Sequence, residues 1–282
     1  MPFSRVYLEI TNCCNLACSF CPGTTRRAAF LTVAQFTHLA GALRGQTRFL
    51  YFHVMGEPLL HPDLPELLDV AGRMGFRVVL TTNGTLLPKR QRELLAAPAL
   101  HKVSVSLHSF EANSGVDMEH YLAGCRDFGL AASEAGILID YRLWNLDGAE
   151  TRGRNEQNNA ILNHLHAAYP GNWTQNTWGW RLRDRTFIHY GEKFDWPSPD
   201  ASDHGEAGTC RALRDQLAVL CDGTVVPCCL DGEGRIPLGN LLAQPLDEIL
   251  AAEPARSIAA GFALQKRLHP LCRRCGYAQR FR

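Results

Sequence analysis

The sequence predicts an α/β fold with parallel strands, followed by a small cysteine-rich module. Two observations carry the first part. Short runs rich in Val, Ile, Leu and aromatics alternate with segments of helix-like apolar spacing, and the alternation repeats over the first half of the chain. A third observation carries the second part: ten of the eleven cysteines lie in the first 21 residues or after residue 209.

The elements follow in order. Phe3–Ile10, Phe49–Val54, Arg77–Thr82, Lys102–Leu107 and Ile137–Leu143 read as strands. Thr32–Leu43, Leu64–Met74, Pro88–Leu95 and Met118–Ala135 read as the helices between them, with Pro88 in the first turn, where its missing N–H costs nothing. Asn155–Tyr169 is a fifth helix, ended by Pro170-Gly171, and a last barrel strand is expected within Arg183–Tyr190. Trp173, Trp178, Trp180 and Trp196 concentrate between Asn172 and Gly208 and suggest an aromatic cover over the open side of the sheet. Leu217–Cys221, Asp222-Gly223 and Thr224–Pro227 form a hairpin pattern with positive-φ turn residues, followed by helices over Leu246–Ala251 and Pro254–Phe262. In parallel barrels, chemistry collects at the C-terminal ends of the strands.

Composition narrows the function classes. The chain has 282 residues, 46% hydrophobic and 20% charged, with a formal net charge of +1. That is enough chain for a substantial core, and the neutral balance gives no electrostatic case for nucleic acid or an anionic membrane as partner. No run is long and apolar enough to span a bilayer. Met1–Ile10 carries Arg5 and Glu9 and has no apolar signal-peptide stretch, so a cytoplasmic location is expected. In a reducing cytosol, clustered cysteines point to metal ligation rather than to disulfides.

The first cluster is Cys13-Cys14-Asn-Leu-Ala-Cys18-Ser-Phe-Cys21, directly after the first strand. Cys14, Cys18 and Cys21 put three thiolates on one short loop. A closed zinc site takes four protein ligands, whereas three leave a position open, and soft thiolates suit iron–sulfur clusters. Cys13 offers a second register. The later cluster comprises Cys210, Cys221, Cys228, Cys229, Cys272 and Cys275. Two cysteine knuckles also make zinc ribbons, so spacing alone leaves both metals open.

Cys14-x3-Cys18-x2-Cys21, with Phe20 before the last cysteine, resembles the signature of the radical SAM superfamily. That resemblance implies a partial (β/α)6 TIM-like barrel. It also implies a four-iron–four-sulfur cluster on these three cysteines, with S-adenosylmethionine on the open iron and reductive cleavage to a 5′-deoxyadenosyl radical that takes a substrate hydrogen atom. Gly56-Glu57-Pro58 after the second strand resembles the family's GEP motif, whose backbone holds the cofactor's amino group. By the same resemblance Asn83, Ser104, Ser106, Arg142 and Asn145 are expected at the cofactor, with Arg142 on its carboxylate and Asn145 near the ribose. A structural ion pair for Arg142 is the competing reading.

Cys210, Gly223, Cys228, Cys272-x2-Cys275 and Leu238-Gly239-Asn240-Leu241 resemble the C-terminal module called SPASM in its long form and twitch in its short form. This implies one auxiliary four-iron cluster on Cys210, Cys228, Cys272 and Cys275, with Cys221 or Cys229 as possible replacements. The expected layout is a core over residues 1–190, a linker over 191–208 and an auxiliary-cluster domain over 209–282.

The resulting expectation is a radical SAM oxidoreductase. It would oxidise a small hydroxylated metabolite, draw its first electron from a low-potential donor such as flavodoxin or ferredoxin, and pass the second to the auxiliary cluster. Modification of a peptide or protein side chain is the alternative within the family, and a zinc or iron–sulfur binding protein without catalysis is the alternative outside it. Net oxidation also needs a proton acceptor, for which His53, His108, Asp140, Tyr141, Glu192 and Asp195 are candidates by position.

Overall fold

The computed structural model describes residues 3–113, 115–146 and 156–281. Six parallel strands form its centre: β1 (Arg5–Leu8), β2 (Phe49–Phe52), β3 (Arg77–Thr82), β4 (Leu100–Ser106), β5 (Leu138–Leu146) and β8 (Thr186–Glu192). Helices α1 (Val33–Ala42), α2 (Leu64–Arg73), α3 (Leu87–Leu95), α4 (Met118–Glu134) and α5 (Glu156–Ala168) alternate with these strands. Local chemistry fixes several helix starts. Thr32 and Gln35 close a reciprocal capping box on α1, and the Asp117 side chain accepts from the His120 amide at the head of α4.

The sheet stays open. The parallel strands run in the order β1-β2-β3-β4-β5-β8, with further strands added beyond β1 and beyond β8, so the ends never meet. This is the expected partial (β/α)6 barrel, extended at both edges. At one edge β6 (Thr174–Asn176) and β7 (Gly179–Arg183) form an antiparallel hairpin on β8. At the other, β9 (Gln216–Val219) pairs parallel with β1, and β10 (Thr224–Val226) and β11 (Gly239–Asn240) follow antiparallel. The expected hairpin around Asp222-Gly223 is present, and its first strand also prolongs the barrel sheet. Helices α6 (Leu246–Ala251), α7 (Ala255–Ala263) and the single turn α8 (Pro270–Arg273) complete the C-terminal region.

The four tryptophans do not form the expected single cover. Trp173 stacks on His166 with ring centroids 3.6 Å apart, Trp178 is exposed, Trp180 packs on the core, and Trp196 reaches the cysteine loop. Secondary structure divides them: Trp180 is in β7, Trp178 is at the hairpin turn, and the other two flank these strands.

Strand periodicity positions the site. The face of the sheet turned to the helices is apolar and buried: Val6, Leu8, Leu50, Phe52, Val78, Leu80, Val103, Val105, Ile139, Leu143 and Ile188. Each such side chain contributes roughly 1.5–3 kcal/mol through burial. The inner face carries Arg5, Tyr7, Tyr51, His53, Lys102, Ser104, Asp140, Arg142 and His189. Closed barrels fill this space with branched aliphatic side chains. Here it is polar, and a cavity of about 1560 Å³ remains.

Candidate functional site

The cavity is lined by Cys14, Cys18 and Cys21 at one end and by Cys210, Cys228, Cys229, Cys272 and Cys275 at the other. Cys13, Cys125 and Cys221 do not line it.

The first group sits on the loop between β1 and α1. Asn12 ties the base of this loop: its side chain donates to the Arg27 carbonyl at 2.9 Å and accepts from the Ala29 amide at 2.8 Å. A turn closes between the Cys18 carbonyl and the Cys21 amide at 3.1 Å. The remaining supports come from distant segments. Glu111 accepts from the amide and hydroxyl of Ser19, Trp196 donates to the Phe20 carbonyl, and Asn83 donates to Asn15. Burial, with the neighbouring thiols of Cys21 and Cys14, pushes the Cys18 thiol up to about 12.

The Gly56-Glu57-Pro58 turn holds the loop from below. The Glu57 amide donates to the Cys13 carbonyl at 2.7 Å, and the Glu57 carboxylate accepts from Leu59 N, Thr82 Oγ1 and Asn83 N. Gly56 has φ +79°, and a Cβ there would lie 2.5 Å from the Thr11 carbonyl oxygen, so the close backbone approach requires glycine. Met55 and Gly56 face the cavity, while Glu57 and Pro58 are buried behind them.

Glu9 joins this end to the C-terminal region. It is fully buried, accepts from Met55 N at 3.1 Å and Cys221 N at 3.0 Å, and pairs with Arg26 at 2.6 Å. Arg26 also donates to the Gly232 carbonyl and to Cys221 Sγ. Cys221 is thereby occupied away from the cavity.

At the far end, burial and repulsion from Cys229, Cys210 and Cys275 raise the Cys228 thiol well above its usual value. Burial with Cys210 and Cys275 pushes Cys272 up to about 12. Cys210, Cys228, Cys272 and Cys275 are thus close enough to oppose one another's ionisation. Cys229 faces elsewhere, beside Tyr7, Arg5 and Arg142. Among the described residues no three His, Cys, Asp or Glu side chains are gathered for a single metal ion. A four-iron cluster takes each thiolate on a different iron, so three mutually repelling thiols and four more across a shared cavity fit two such clusters.

Inner strand residues line the same cavity as the thiols. Asp140 on β5 is the centre of a polar network: Lys102 Nζ lies 2.6 Å from Oδ2, His189 Nδ1 lies 2.7 Å from Oδ1, and Ser104 Oγ donates to Oδ2 at 3.4 Å. Burial opposes its charge, but the His189 hydrogen bond and the Lys102 charge hold the Asp140 carboxyl below the usual carboxylate range. Ser106, His53, His108 and Arg142 also line the cavity. Burial drives His108 down to about 4, and burial with the Arg142 and Arg5 charges drives His53 down to about 3, so both rings are neutral. Phe20 packs against His108 with ring centroids 4.8 Å apart.

Two expected site residues lie elsewhere. Asn145 exchanges two hydrogen bonds of 2.9 Å with Asn158 on α5, and Tyr141 bonds to Tyr169 and the Cys125 carbonyl. Both share the outward face of β5 with Leu143, because side chains alternate along a strand. Asn145 is therefore not beside a ribose in the cavity, and Tyr141 is not a cavity base. The competing ion pair for Arg142 is also missing among the described residues. Sequence reasoning overlooked Glu9, Arg26, Glu111 and His189, whose partners lie 17 to 212 positions away.

The family model for the radical SAM superfamily matches residues 8–128, and that for the SPASM iron–sulfur cluster-binding domain matches residues 210–276. The chain carries a radical SAM domain over residues 8–128 and a SPASM iron–sulfur cluster-binding domain over residues 210–276. A curated relative, the AdoMet-dependent heme synthase of Methanosarcina barkeri, is 34% identical over 109 residues, 38% of this chain and 31% of the relative. The chain thus spans about a third of that protein's length. Among solved structures, BtrN in complex with AdoMet and 2-DOIA matches with TM-score 0.62 and 18% identity over 97% of this chain and 92% of that one. Streptococcus suis SuiB bound to the precursor peptide SuiA matches with TM-score 0.63 and 13% identity over 98% and 72%. These two likenesses concern the fold. The radical SAM domain implies a four-iron cluster with S-adenosylmethionine, and the SPASM domain implies auxiliary iron–sulfur ligation. No described helix is long and apolar enough to cross a membrane.

Proposed function

We propose that this radical SAM protein oxidises a small polar molecule by two electrons inside the cavity. The observation that carries the reading is that one cavity, with polar side chains on its strand wall, is lined by both thiol groups. In this reading Cys14, Cys18 and Cys21 hold the cofactor-binding cluster, and Cys210, Cys228, Cys272 and Cys275 hold the auxiliary one. The core spans residues 1–190, the connection 191–208 and the auxiliary domain 209–282. When bound, the groups supply a carbon-centred radical that removes a substrate hydrogen atom and a one-electron acceptor for what remains.

The chain's own residues do the rest. The backbone at Met55 and Gly56 would hold the cofactor's amino group, and Ser106 lines the same cavity. Asn83 braces the loop beneath, and the surrounding walls restrict water near a reactive centre. After hydrogen-atom removal the substrate must lose one electron and one proton to complete the oxidation. His189, on the cavity wall with Nδ1 2.7 Å from Asp140, is positioned to receive the proton. A low-potential donor such as flavodoxin or ferredoxin provides the first electron.

The likeness to BtrN over nearly the full length of both chains supports a small-molecule substrate. A peptide substrate is the second reading, supported by exposed Trp178 at the cavity and by the SuiB–SuiA likeness. Hydrogen transfer from a deuterated precursor peptide into 5′-deoxyadenosine would decide for it. The primary test is anaerobic reconstitution, with about eight irons per chain expected and 5′-deoxyadenosine released under strong reductant. About four irons would remove the auxiliary cluster, and no 5′-deoxyadenosine would remove the catalytic reading.

A further inference from the structure

The inner face of the barrel holds more positive charge than it neutralises. Arg5 on β1, Lys102 on β4 and Arg142 on β5 all reach the cavity. Asp140 is the carboxylate on these strands, already engaged by Lys102 at 2.6 Å and His189 at 2.7 Å, and Glu192, Asp195 and Asp231 line the same cavity without forming an ion pair with Arg5 or Arg142 among the described residues. Arg142 stacks its guanidinium 3.7 Å above the Trp144 ring, and its Nε is buried without a hydrogen-bond partner. His53, which feels both arginines, has Nδ1 buried and equally unpartnered. Arg142 is half-buried with no paired carboxylate, and a planar fork held flat by an aromatic ring is prepared for a bidentate oxyanion.

Two oxyanions fit this fork, the cofactor's own carboxylate and an anionic group of the substrate. The groups acting electrostatically on Arg142 are Asp140, Tyr7, Cys229 and Tyr277, which come from β5, β1 and the C-terminal region. Those acting on Cys14 and Cys18 are the loop thiols themselves, Glu57 and Glu111. Arg142 therefore faces β1 and the C-terminal region and is also next to His108, which contacts its carbonyl at 3.0 Å and packs on Phe20 of the cysteine loop, so the binding test below separates the two oxyanions.

Resting on the radical SAM reading above, we propose that Arg142, supported by Arg5 and His53, binds a carboxylate or phosphate group of the substrate. This departs from the sequence expectation that Arg142 holds the cofactor's own carboxylate. The substrate class is then an anionic polar metabolite, its anion fixed on the inner wall and its oxidisable carbon between the two thiol groups.

The test uses reconstituted holoenzyme saturated with S-adenosylmethionine, titrated anaerobically with succinate and with inorganic phosphate by calorimetry. Wild type should bind at least one of them, and Arg142→Met should weaken that binding by about tenfold or more while changing S-adenosylmethionine affinity by less than about twofold. Arg142→Lys keeps the charge but loses the fork and should fall between, which also covers the case in which the methionine variant folds poorly. The succinate and phosphate arms separate the two substrate chemistries. Equal weakening of S-adenosylmethionine would overturn the proposal in favour of a cofactor ligand. A shifted auxiliary-cluster potential with unchanged anion binding would overturn it in favour of charge compensation for the cluster. Wild type that bound the anions but not S-adenosylmethionine would keep the anion site and remove the functional reading beneath it. Cofactor binding with no anion bound more tightly than by Arg142→Met would do the reverse.

Discussion

The thiols at the two ends of the cavity are built in opposite ways. Cys14, Cys18 and Cys21 come from eight consecutive residues, and Cys14 and Cys21 are exposed. Cys210, Cys228, Cys272 and Cys275 come from three separate segments, and none is exposed. The first arrangement is local in sequence and borrows its rigidity from Asn12, Glu57, Glu111 and Trp196. The second is closed and assembled by the fold itself. An accessible three-thiol loop suits a group that must admit a further ligand, whereas an enclosed four-thiol set suits one that only exchanges electrons.

The strongest way to break that comparison is to remove one thiol from each end. Cys18→Ala should lose about four of eight irons and all 5′-deoxyadenosine formation. Cys272→Ala should lose a similar amount of iron, yet still cleave S-adenosylmethionine under strong reductant, with substrate oxidation uncoupled. Iron analysis and product chromatography check both. Retained cleavage in Cys18→Ala would sink the assignment of the open end.

Glu9 comes next because it connects the two regions. Its carboxylate spans Met55, Cys221 and Arg26 with no solvent exposure, so Glu9→Ala leaves a largely buried Arg26 without its counter-charge. A loss of about 3–5 kcal/mol is expected by denaturant unfolding. The iron content of both ends should fall together, in contrast to the cysteine variants. Loss confined to one end would show that the ends are mechanically independent.

This connection also shows what the sequence could and could not reveal. The three-thiol loop was legible because covalent spacing alone gathers its sulfurs. Alternation along the strands correctly put Ser104 and Ser106 on one face. Applied consistently, the same rule would have separated Arg142 from Asn145, since residues three apart on a strand point to opposite faces. His189 was missed because the last barrel strand was bounded loosely within an aromatic-rich segment. The Glu9–Cys221 contact joins residues 212 positions apart, and nothing local to either predicts it. The choice among Cys210, Cys221, Cys228 and Cys229 was likewise a matter of three-dimensional neighbours, which two adjacent cysteines in a sequence cannot distinguish.

Asp140→Asn sharpens the comparison in the space between the ends. The variant should lose about 2 kcal/mol near neutral pH, because Lys102 and His189 lose a charged acceptor. The folded Asp140 carboxyl lies below its ordinary value, so its stabilising contribution is fully present above about pH 4. It is lost as pH falls through the lower folded value. The stability difference between wild type and Asp140→Asn should therefore be constant above about pH 4 and shrink in more acid solution. Iron content should not change. A difference that grew on acidification would contradict the ion-paired network around Asp140.

Cys221→Ser has the smallest expected effect and asks whether the enclosed end is as selective as its geometry implies. Cys221 Sγ accepts from Arg26 Nη1 at 3.7 Å, on the side of the molecule held by Glu9, and it does not line the cavity. Serine keeps an acceptor for Arg26, so the stability change should stay below about 1 kcal/mol and the iron count should match wild type. Cys228→Ser should instead lose the auxiliary iron, because Cys228 lines the cavity with Cys210, Cys272 and Cys275. If Cys221→Ser lost iron and Cys228→Ser did not, the auxiliary set would have to be redrawn around the Glu9–Arg26 pair. A salt-bridged carboxylate 3.0 Å from the Cys221 amide makes that a poor place for a negatively charged thiolate cluster.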